Sequence, residues 1–189
     1  MTASADVGRP VASSRRWMIA GGIAAGVIAA DQATKSWAVS SLNDGQVIEV
    51  IGTLQFRLAF NTGMSFSLGS GLGQLIAPLA IVVVITLFWF ARRVQSTLGL
   101  VAIGLVAGGA IGNLVDRAVR AGDGFFGGAV VDFIDVQWWP VFNIADMGVV
   151  IGAGLLLLST WFEDELDEEL EAEHPGGEGT DEHHPRDDS

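Results

Sequence analysis

Four apolar segments of about 20 residues each dominate this chain of 189 residues. They cover positions ~17–38, ~72–91, ~98–118 and ~142–162. A helix needs about 20 apolar residues to cross the hydrocarbon core of a bilayer, which is about 30 Å thick. We therefore expect an integral membrane protein that is mainly α-helical, with four transmembrane helices.

The residue types that the chain lacks exclude several kinds of active site. It has no cysteine, which rules out disulfides, thiolate nucleophiles and zinc–cysteine sites. Its three histidines all lie in an acidic tail, residues 163–189, which carries thirteen acids and one base. The tail accounts for the whole net charge of −12, so the body of the chain is neutral. We interpret the tail as a short acidic helical extension followed by disorder.

Basic residues mark the connections that face the cytoplasm. Arginines precede the first apolar segment and also separate the second from the third. The positive-inside rule places such clusters in the cytoplasm. Both termini are then cytoplasmic, and the connections 39–71 and 119–141 face outward. We divide the chain into a cytoplasmic N-terminal segment 1–16, a membrane domain 17–162 and a cytoplasmic tail 163–189.

The first outward connection contains the pattern of a β-strand. Residues 54–60 read LQFRLAF, in which large apolar residues alternate with polar or small ones. A period of two is typical of a half-buried strand. The second outward connection is also rich in glycine and in β-forming residues. We therefore expect a small extracytoplasmic β-rich cap on the four-helix bundle.

Polar side chains that lipid would penalise collect at the outer ends of the predicted helices. A random scatter of structural polar residues would not segregate to one side, so we interpret the group as one site. Its members are Asp31, Lys35, Asn61, Asn113, Asp116, Arg117, Arg120, Asp132, Asp135, Asn143 and Asp146.

Several members of this group also have a purely structural explanation. Asp31 and Lys35 are four residues apart with the acid first, which favours an ion pair on one helix. Asp116 is followed by an arginine, Arg117, that could neutralise it as a buried pair. Either Asn143 or Asp146 could cap the fourth helix by accepting hydrogen bonds from the free backbone N–H groups of its first turn.

Carboxylate chemistry is the hypothesis that the remaining residue types favour. Two carboxyls held close together cannot both ionise, so they share one proton. One can then activate a water while the other protonates a carbonyl oxygen, as in an aspartic peptidase. The alternative is a small non-enzymatic membrane carrier or binding protein whose polar outer site holds a solute or a proton. A serine–lysine dyad of Lys35 with Ser65 or Ser67 is a third hypothesis.

Five short motifs occur in a fixed order along the chain. They are DQATK (31–35), NTGMSFS (61–67), GNLVDR (112–117), VVDF (130–133) and FNIAD (142–146). Together they resemble the successive motifs of lipoprotein signal peptidase, also called signal peptidase II. The resemblance covers roughly residues 17–160, and the motifs lie in register on the expected four-helix frame.

The resemblance implies an aspartic endopeptidase in which Asp132 and Asp146 are the catalytic pair. It implies cleavage of bacterial prolipoproteins on the N-terminal side of a diacylglyceryl-modified cysteine, at the extracytoplasmic face of the cytoplasmic membrane. The expected partners are lipid-modified substrates and membrane lipids, with no nucleic acid, no cofactor and no metal, and the protein is expected to be a monomer. The residues with implied supporting or substrate-binding roles are Asn61, Gly63, Asn113, Asp116, Arg117, Asn143, Asp31 and Lys35.

Three further expectations concern residues next to the motif aspartates. Side chains alternate faces along a strand, so Asp135 should point away from Asp132 and be a solvated bystander. Residues 138–140, Trp-Trp-Pro, predict a hairpin that brings Asp132 and Asp146 together. Met64 stands where the family usually has a smaller residue, which would reshape the pocket without changing the chemistry.

Overall fold

A computed structural model of the chain describes residues 13–63, 73–94, 96–120, 122 and 126–173. Within this part, four helices carry the fold and three strands form one sheet. The elements in chain order are α1 (Ser13–Ser41), β1 (Val47–Ile51), β2 (Leu54–Asn61), α2 (Gly73–Phe90), α3 (Thr97–Val119), β3 (Val130–Asp135) and α4 (Ile144–Glu173).

Each of the four apolar segments forms a helix, which confirms the mainly α-helical prediction. In the described part of the chain, two helical stretches are long and apolar enough to cross a membrane by themselves, Thr97–Val119 and Ile144–Trp161. The apolar part of α2, Ile76–Phe90, is shorter. α4 continues through Glu173, so the segment 163–189 begins with a helical extension of α4. The disorder predicted after that helix lies outside the described residues.

α3 is the central helix of the bundle, and α1 and α4 pack along it. Glycine permits the close approach between α1 and α3. A Cβ atom on Gly108 would lie 2.8 Å from the carbonyl oxygen of Ala24, closer than real side-chain atoms come. Small residues at helix interfaces bring backbones together in this way. The approach holds the polar end of α1 against the polar end of α3.

The three strands form an antiparallel sheet in the order β1-β2-β3. β1 and β2 are joined by a two-residue turn in which Gly52 has a φ of +57°, a conformation that glycine adopts without strain. The strand predicted at 54–60 is confirmed as β2. In the β2–β3 register, Ala59 lies opposite Asp132 and Gln55 lies opposite Asp135. The predicted small β-rich cap is therefore present, and it contains Asp132.

A small apolar core joins the sheet to the bundle. Ala38 and Leu42 at the end of α1 are fully buried against Val131 and Phe133 of β3. The Trp37 ring meets the Phe133 ring edge-on at a centroid distance of 6.0 Å. This packing seats β3 at the ends of α1 and α3, beside their polar side chains.

A hairpin leads the chain from β3 back to the start of α4. Phe142 pairs with Ile134, accepting from its N–H at 2.9 Å and donating to its carbonyl at 3.0 Å. At the turn, Gln137 has a φ of +69°, and the rings of Trp138 and Trp139 are exposed. The predicted hairpin is confirmed, and it delivers the chain to Asn143 at the start of α4.

Candidate active site

Asp132 lies in the middle of β3 with its carboxylate almost completely buried. Its Oδ1 accepts from the Asn143 side-chain amide at 2.6 Å, and its Oδ2 accepts from the Asn61 side-chain amide at 3.0 Å. The Asn61 oxygen accepts from the Gly63 backbone N–H at 2.9 Å, which turns its NH₂ group toward Asp132. Both carboxylate oxygens of Asp132 are thus held by amide donors.

Asp146 lies in the first turn of α4 and takes part in a reciprocal cap with Asn143. The Asn143 Oδ1 accepts from the Asp146 backbone N–H at 2.9 Å, and the Asp146 Oδ2 accepts from the Asn143 backbone N–H at 3.2 Å. This arrangement has the logic of a capping box, in which two free N–H groups are satisfied together. The predicted cap is therefore shared between the two residues, and it occupies only one oxygen of Asp146.

The other oxygen of Asp146 connects it to α3. The Asn113 side-chain NH₂ donates to Asp146 Oδ1 at 2.8 Å, and its oxygen accepts from the Asn143 side chain at 3.1 Å. Asn143 in turn reaches Asp132, so two asparagines bridge the two aspartates. All four oxygens of the two carboxyls accept a bond from a protein amide. Such a network fixes both carboxyl groups in position.

Behind Asn113 lies a cluster of charges that is shut off from solvent. Lys35, Asp31 and Asp116 each have 0% exposure. The Lys35 ammonium lies 2.8 Å from Asp31 Oδ2 and 3.1 Å from Asp116 Oδ2, and it donates to Asn113 Oδ1 at 2.9 Å. The predicted Asp31–Lys35 ion pair is confirmed. Because the ammonium occupies the oxygen side of Asn113, the NH₂ side of that amide faces Asp146.

The two buried acids of this cluster also tie backbone segments to it. Asp31 Oδ1 accepts from the Ala145 N–H at 3.0 Å, and Asp116 Oδ2 accepts from the Val131 N–H at 2.9 Å. Val131 directly precedes Asp132, and Ala145 directly precedes Asp146. The ion partners of Asp116 are Lys35 and Arg120 Nε, the latter at 3.2 Å, and not the adjacent arginine suggested by the sequence.

A cavity of about 390 Å³ opens beside the aspartates. Its wall is largely apolar and is formed by side chains of α2, α3 and α4 such as Ile76, Leu79, Val83 and Val149. Arg117, which is 6% exposed, also lines it. The polar end of the cavity is lined by Asn61, Gly63, Asn113, Arg117, Asp132 and Asp146.

Burial and, next, the negative charge of Asp146 together raise the pKa of Asp132 to about 6, against the opposing effect of its amide donors. A buried carboxyl beside a second carboxyl holds its proton to a higher pH than a solvated one. Asp132 is therefore a group that can carry a proton near neutral pH. This is the electrostatic signature expected of a carboxyl pair that shares one proton.

The structure contradicts the expectation that Asp135 is solvated. Asp135 is 5% exposed, and its Oδ2 accepts from Gln55 at 2.8 Å and from Arg57 Nε at 2.9 Å. Its Oδ1 accepts from the Gln137 N–H at 2.8 Å. The bonds from Gln55 and Gln137, helped by Arg57, hold the pKa of Asp135 below its ordinary value. Its hydrogen bonds all lie outside the Asp132 network, but β2 and the hairpin cover its face of the strand.

The sequence did not single out some residues that the structure places at the site. The Gln32 side chain donates to Asp31, to Asp116 and to the Gly112 carbonyl, within the buried cluster. In the sequence, Gln32 is marked only by its place beside Asp31 in the DQATK motif. The apolar side chains of α2 in the cavity wall cannot be told from lipid-facing ones by pattern alone. Met64, Ser65 and Ser67 lie outside the described residues, whereas Lys35 already has three polar partners.

The residues that the structure describes contain no group of three or more His, Asp or Glu side chains arranged to hold a metal ion. The two aspartates with their asparagine bridges can instead perform proton transfer by themselves. The arrangement is a buried carboxyl pair at the polar end of an apolar cavity.

Comparison with known proteins gives a consistent result for the chain. The family profile described as signal peptidase (SPase) II matches residues 23–162. A lipoprotein signal peptidase of Mycobacterium avium (strain 104) is 44% identical over 149 residues, which cover 78% of this chain and 81% of the relative. That of Rhodococcus jostii (strain RHA1) is 43% identical over 153 residues, covering 80% and 76%. A bacterial membrane enzyme solved by the in meso method at 1.9 Å resolution matches with a TM-score of 0.64 at 28% identity, over 80% of this chain and 96% of that one.

Proposed function

The chain belongs to the signal peptidase II family, and from this premise we propose that it is an aspartic endopeptidase of bacterial prolipoproteins. It removes the signal peptide by cutting on the N-terminal side of a diacylglyceryl-modified cysteine. The observation that carries the aspartic assignment is the bridged pair of Asp132 and Asp146 at the polar end of one cavity.

In the proposed reaction the two carboxyls share one proton. The ionised carboxylate takes a proton from a water, and the oxygen of that water bonds to the scissile carbonyl carbon. The protonated carboxyl gives its proton to the carbonyl oxygen, so that a neutral tetrahedral intermediate forms. The C–N bond then breaks as the protonated carboxyl gives its proton to the amide nitrogen and the ionised carboxylate takes a proton from one hydroxyl of the intermediate. The products are a carboxylic acid and an amine, and the two carboxyls again share one proton. Asp132, with its raised pKa, is the member that holds the proton before attack.

The asparagines contribute by holding the carboxyls still. The side chains of Asn61, Asn113 and Asn143 each donate to one of the two aspartates and accept no proton themselves. Donors that are fixed before the reaction do not have to reorganise during it, which is the main source of electrostatic catalysis in such sites. These residues are the proposed supporting shell of the dyad.

The apolar wall of the cavity is suited to bind a lipid-modified substrate. Ile76, Leu79 and Val83 of α2 line the cavity opposite α3 and α4. An apolar wall gains free energy when it covers acyl chains or the apolar core of a signal peptide. Arg117, at the polar end, is placed to bind a carbonyl or ester oxygen of such a substrate.

The proposed membrane placement follows from the exposed apolar surface. Many large apolar side chains of α2 and α4 are exposed, for example Leu79, Ile85, Val150 and Leu157, each more than 60%. Lipid is the solvent that suits such surfaces. We place α1 to α4 across the cytoplasmic membrane with both termini in the cytoplasm, and the sheet and dyad near the extracytoplasmic face. The enzyme acts as a monomer.

In this arrangement the three parts of the chain have separate roles. Residues 1–16 are a cytoplasmic segment, residues 17–162 form the membrane peptidase domain, and residues 163–189 are a cytoplasmic tail that begins as a continuation of α4. The connections 39–71 and 119–141 supply the outer cap and one member of the dyad.

A membrane carrier is a weaker interpretation of the same residues. Carrier sites lie near the middle of the bilayer, on broken helices related by internal repeats. In this fold the polar side chains lie near the sheet, in the last turns of α3 and the first turn of α4. That distribution favours a site at one membrane face.

The decisive experiment is cleavage of a diacylated lipobox peptide by the purified protein. Asp132→Asn and Asp146→Asn should each reduce kcat by about 10²–10⁴-fold, the usual contribution of a general acid or base. Asp44→Asn is the matched control, because Asp44 is exposed in the connection between α1 and β1. Retained cleavage in either dyad variant overturns the assignment, and cleavage that requires Ser65 would favour the serine–lysine hypothesis.

A further inference from the structure

We propose that Asp135 is a positioning residue for the reaction and acts through the hairpin that joins Asp132 to Asp146. The inference rests on the proposed function, since it takes those two aspartates as the reacting pair. Asp135 touches neither of them by any hydrogen bond described above. Its role is to hold the chain segment that carries their common partner, Asn143.

The Asp135 carboxylate joins two separate parts of the outer cap. Its Oδ2 accepts from the Gln55 and Arg57 side chains of β2. Its Oδ1 accepts from the backbone N–H of Gln137, at the turn of the hairpin. Because the residue is 5% exposed, water can replace these partners only at a cost. The carboxylate therefore clamps the turn to the neighbouring strand.

The clamped turn is a strained one. Gln137 has a φ of +69°, in the left-handed region that side chains other than glycine, asparagine and aspartate rarely occupy. Such a conformation persists only where its surroundings hold it. The bond from the Gln137 N–H to Asp135 holds the turn, together with the Ile134–Phe142 pair across the hairpin.

The segment that returns from this turn leads directly to the dyad. Phe142 pairs with Ile134 of β3, and Asn143 follows it directly. Asn143 donates to Asp132 through its side chain and to Asp146 through its backbone. A shift of the turn would therefore move a residue that donates hydrogen bonds to both carboxyls. Misplacement of a catalytic group by about 1 Å can cost a factor of about 100 in rate.

Aspartate is the residue type that this position requires. The β2 donors and the Gln137 N–H bond to different oxygens of Asp135. An asparagine has one acceptor oxygen, so in the same orientation it keeps one of these two links and presents an NH₂ group to the other. An alanine offers neither link. Asp135→Asn thus removes one of the two links, and Asp135→Ala removes both.

Steady-state cleavage of the diacylated lipobox peptide tests the inference. Asp135→Ala should lower kcat at least tenfold with KM changed less than twofold, because the cavity wall that binds the substrate is untouched. Asp135→Asn should fall between Asp135→Ala and the unmodified enzyme. Glu49→Ala is the matched control, since Glu49 is an exposed carboxylate of the same sheet. Its kcat should be that of the unmodified enzyme.

A rescue variant separates positioning from a general loss of stability. Glycine adopts a positive φ without strain, so Gln137→Gly makes the turn independent of Asp135. The double variant Asp135→Ala with Gln137→Gly should have a kcat at least threefold higher than Asp135→Ala alone. If Asp135→Ala does not yield folded protein, Arg57→Met, which removes one β2 donor, should still lower kcat at least threefold at constant KM.

The outcomes distinguish this inference from the proposed function. A folded Asp135→Ala protein with an unaltered kcat overturns the positioning role while leaving the dyad intact, provided that Asp132→Asn is inactive. A loss that appears only in KM, or a double variant with no recovery, also overturns it. An active Asp132→Asn enzyme removes the dyad, and the positioning role fails with it.

Discussion

The side-chain nitrogen of Asn143 lies 2.6 Å from Oδ1 of Asp132, the shortest bond in the network around the two aspartates. The same residue caps α4 in partnership with Asp146. One asparagine thus sets the start of a helix and the geometry of the proposed dyad. Stability and catalysis should therefore respond together when it is changed.

Asn143→Ala should lower both the stability and the rate. Loss of an N-cap costs about 0.5–2 kcal/mol of unfolding free energy. Loss of the bridge to Asp132 should reduce kcat by about 100-fold, the scale of a 1 Å misplacement. Thermal unfolding in detergent and peptide cleavage measure the two effects. A variant with a lower Tm but an unaltered kcat would show that the bridge has no role in catalysis.

The raised pKa of Asp132 predicts the upper limb of the pH–rate profile. The pair is active while it holds one proton, and Asp132 loses that proton as the pH rises through about 6. The kcat/KM should therefore fall about tenfold per pH unit above this point, since kcat/KM reports the free enzyme. The apparent value belongs to the pair as a whole. Asp44→Asn should leave the profile unchanged, and a flat profile between pH 5 and pH 8 would contradict the shared proton.

The stability of Asp132→Asn relative to the unmodified protein should rise with pH. The pKa of Asp132 is about 6 in the folded protein against an ordinary 3.8, so the native state binds more protons than the unfolded state between these values. Stability is then lost as the pH rises through this window and stays low above it. Because an asparagine does not ionise, the gain of the variant over the unmodified protein should be on the order of 2 kcal/mol larger at pH 7.5 than at pH 4.5. Equal gains at the two pH values, measured by thermal unfolding, would contradict the raised pKa.

Lys35→Met should be among the most destabilising changes in the bundle. It leaves the buried carboxylates of Asp31 and Asp116 without their shared cation. Removing one partner of a buried ion pair costs about 3–5 kcal/mol, because the remaining charge stays buried. Adding Asp31→Asn should restore part of this loss, since it removes one of the two orphaned charges. The folded fraction after detergent extraction and the Tm measure both variants, and a single variant as stable as the unmodified protein would refute the cluster's structural role.

Much of the fold follows from local pattern. The four apolar segments became α1 to α4, the alternating stretch at 54–60 became β2, and the spacing of Asp31 and Lys35 gave their ion pair. These features depend on the periodicity and spacing of residues close together in the chain. The hairpin between β3 and α4 was also predictable from local sequence, because it is short and lies between a β-forming stretch and an apolar helix.

The partners of the buried polar groups were less predictable. The alternation of a strand says that Asp132 and Asp135 face opposite ways, but it does not say what covers each face. Asp135 was expected to be solvated, yet Gln55 and Arg57 of β2 bury it. The neighbouring Arg117 was one possible cation for Asp116, whereas the ion pairs that form are with Lys35 from α1 and with Arg120.

The sequence by itself determined the helices, strand β2 and the set of polar residues that gather near one end of the bundle. It could do so because hydrophobic periodicity and helix spacing act over a few residues. Only the tertiary structure decided how that set divides into a charged cluster around Lys35, a carboxyl pair bridged by asparagines, and the separate clamp at Asp135. These groups come from α1, the sheet, α3 and α4, and hydrogen-bond distances between such distant segments are set by the packing of the whole fold.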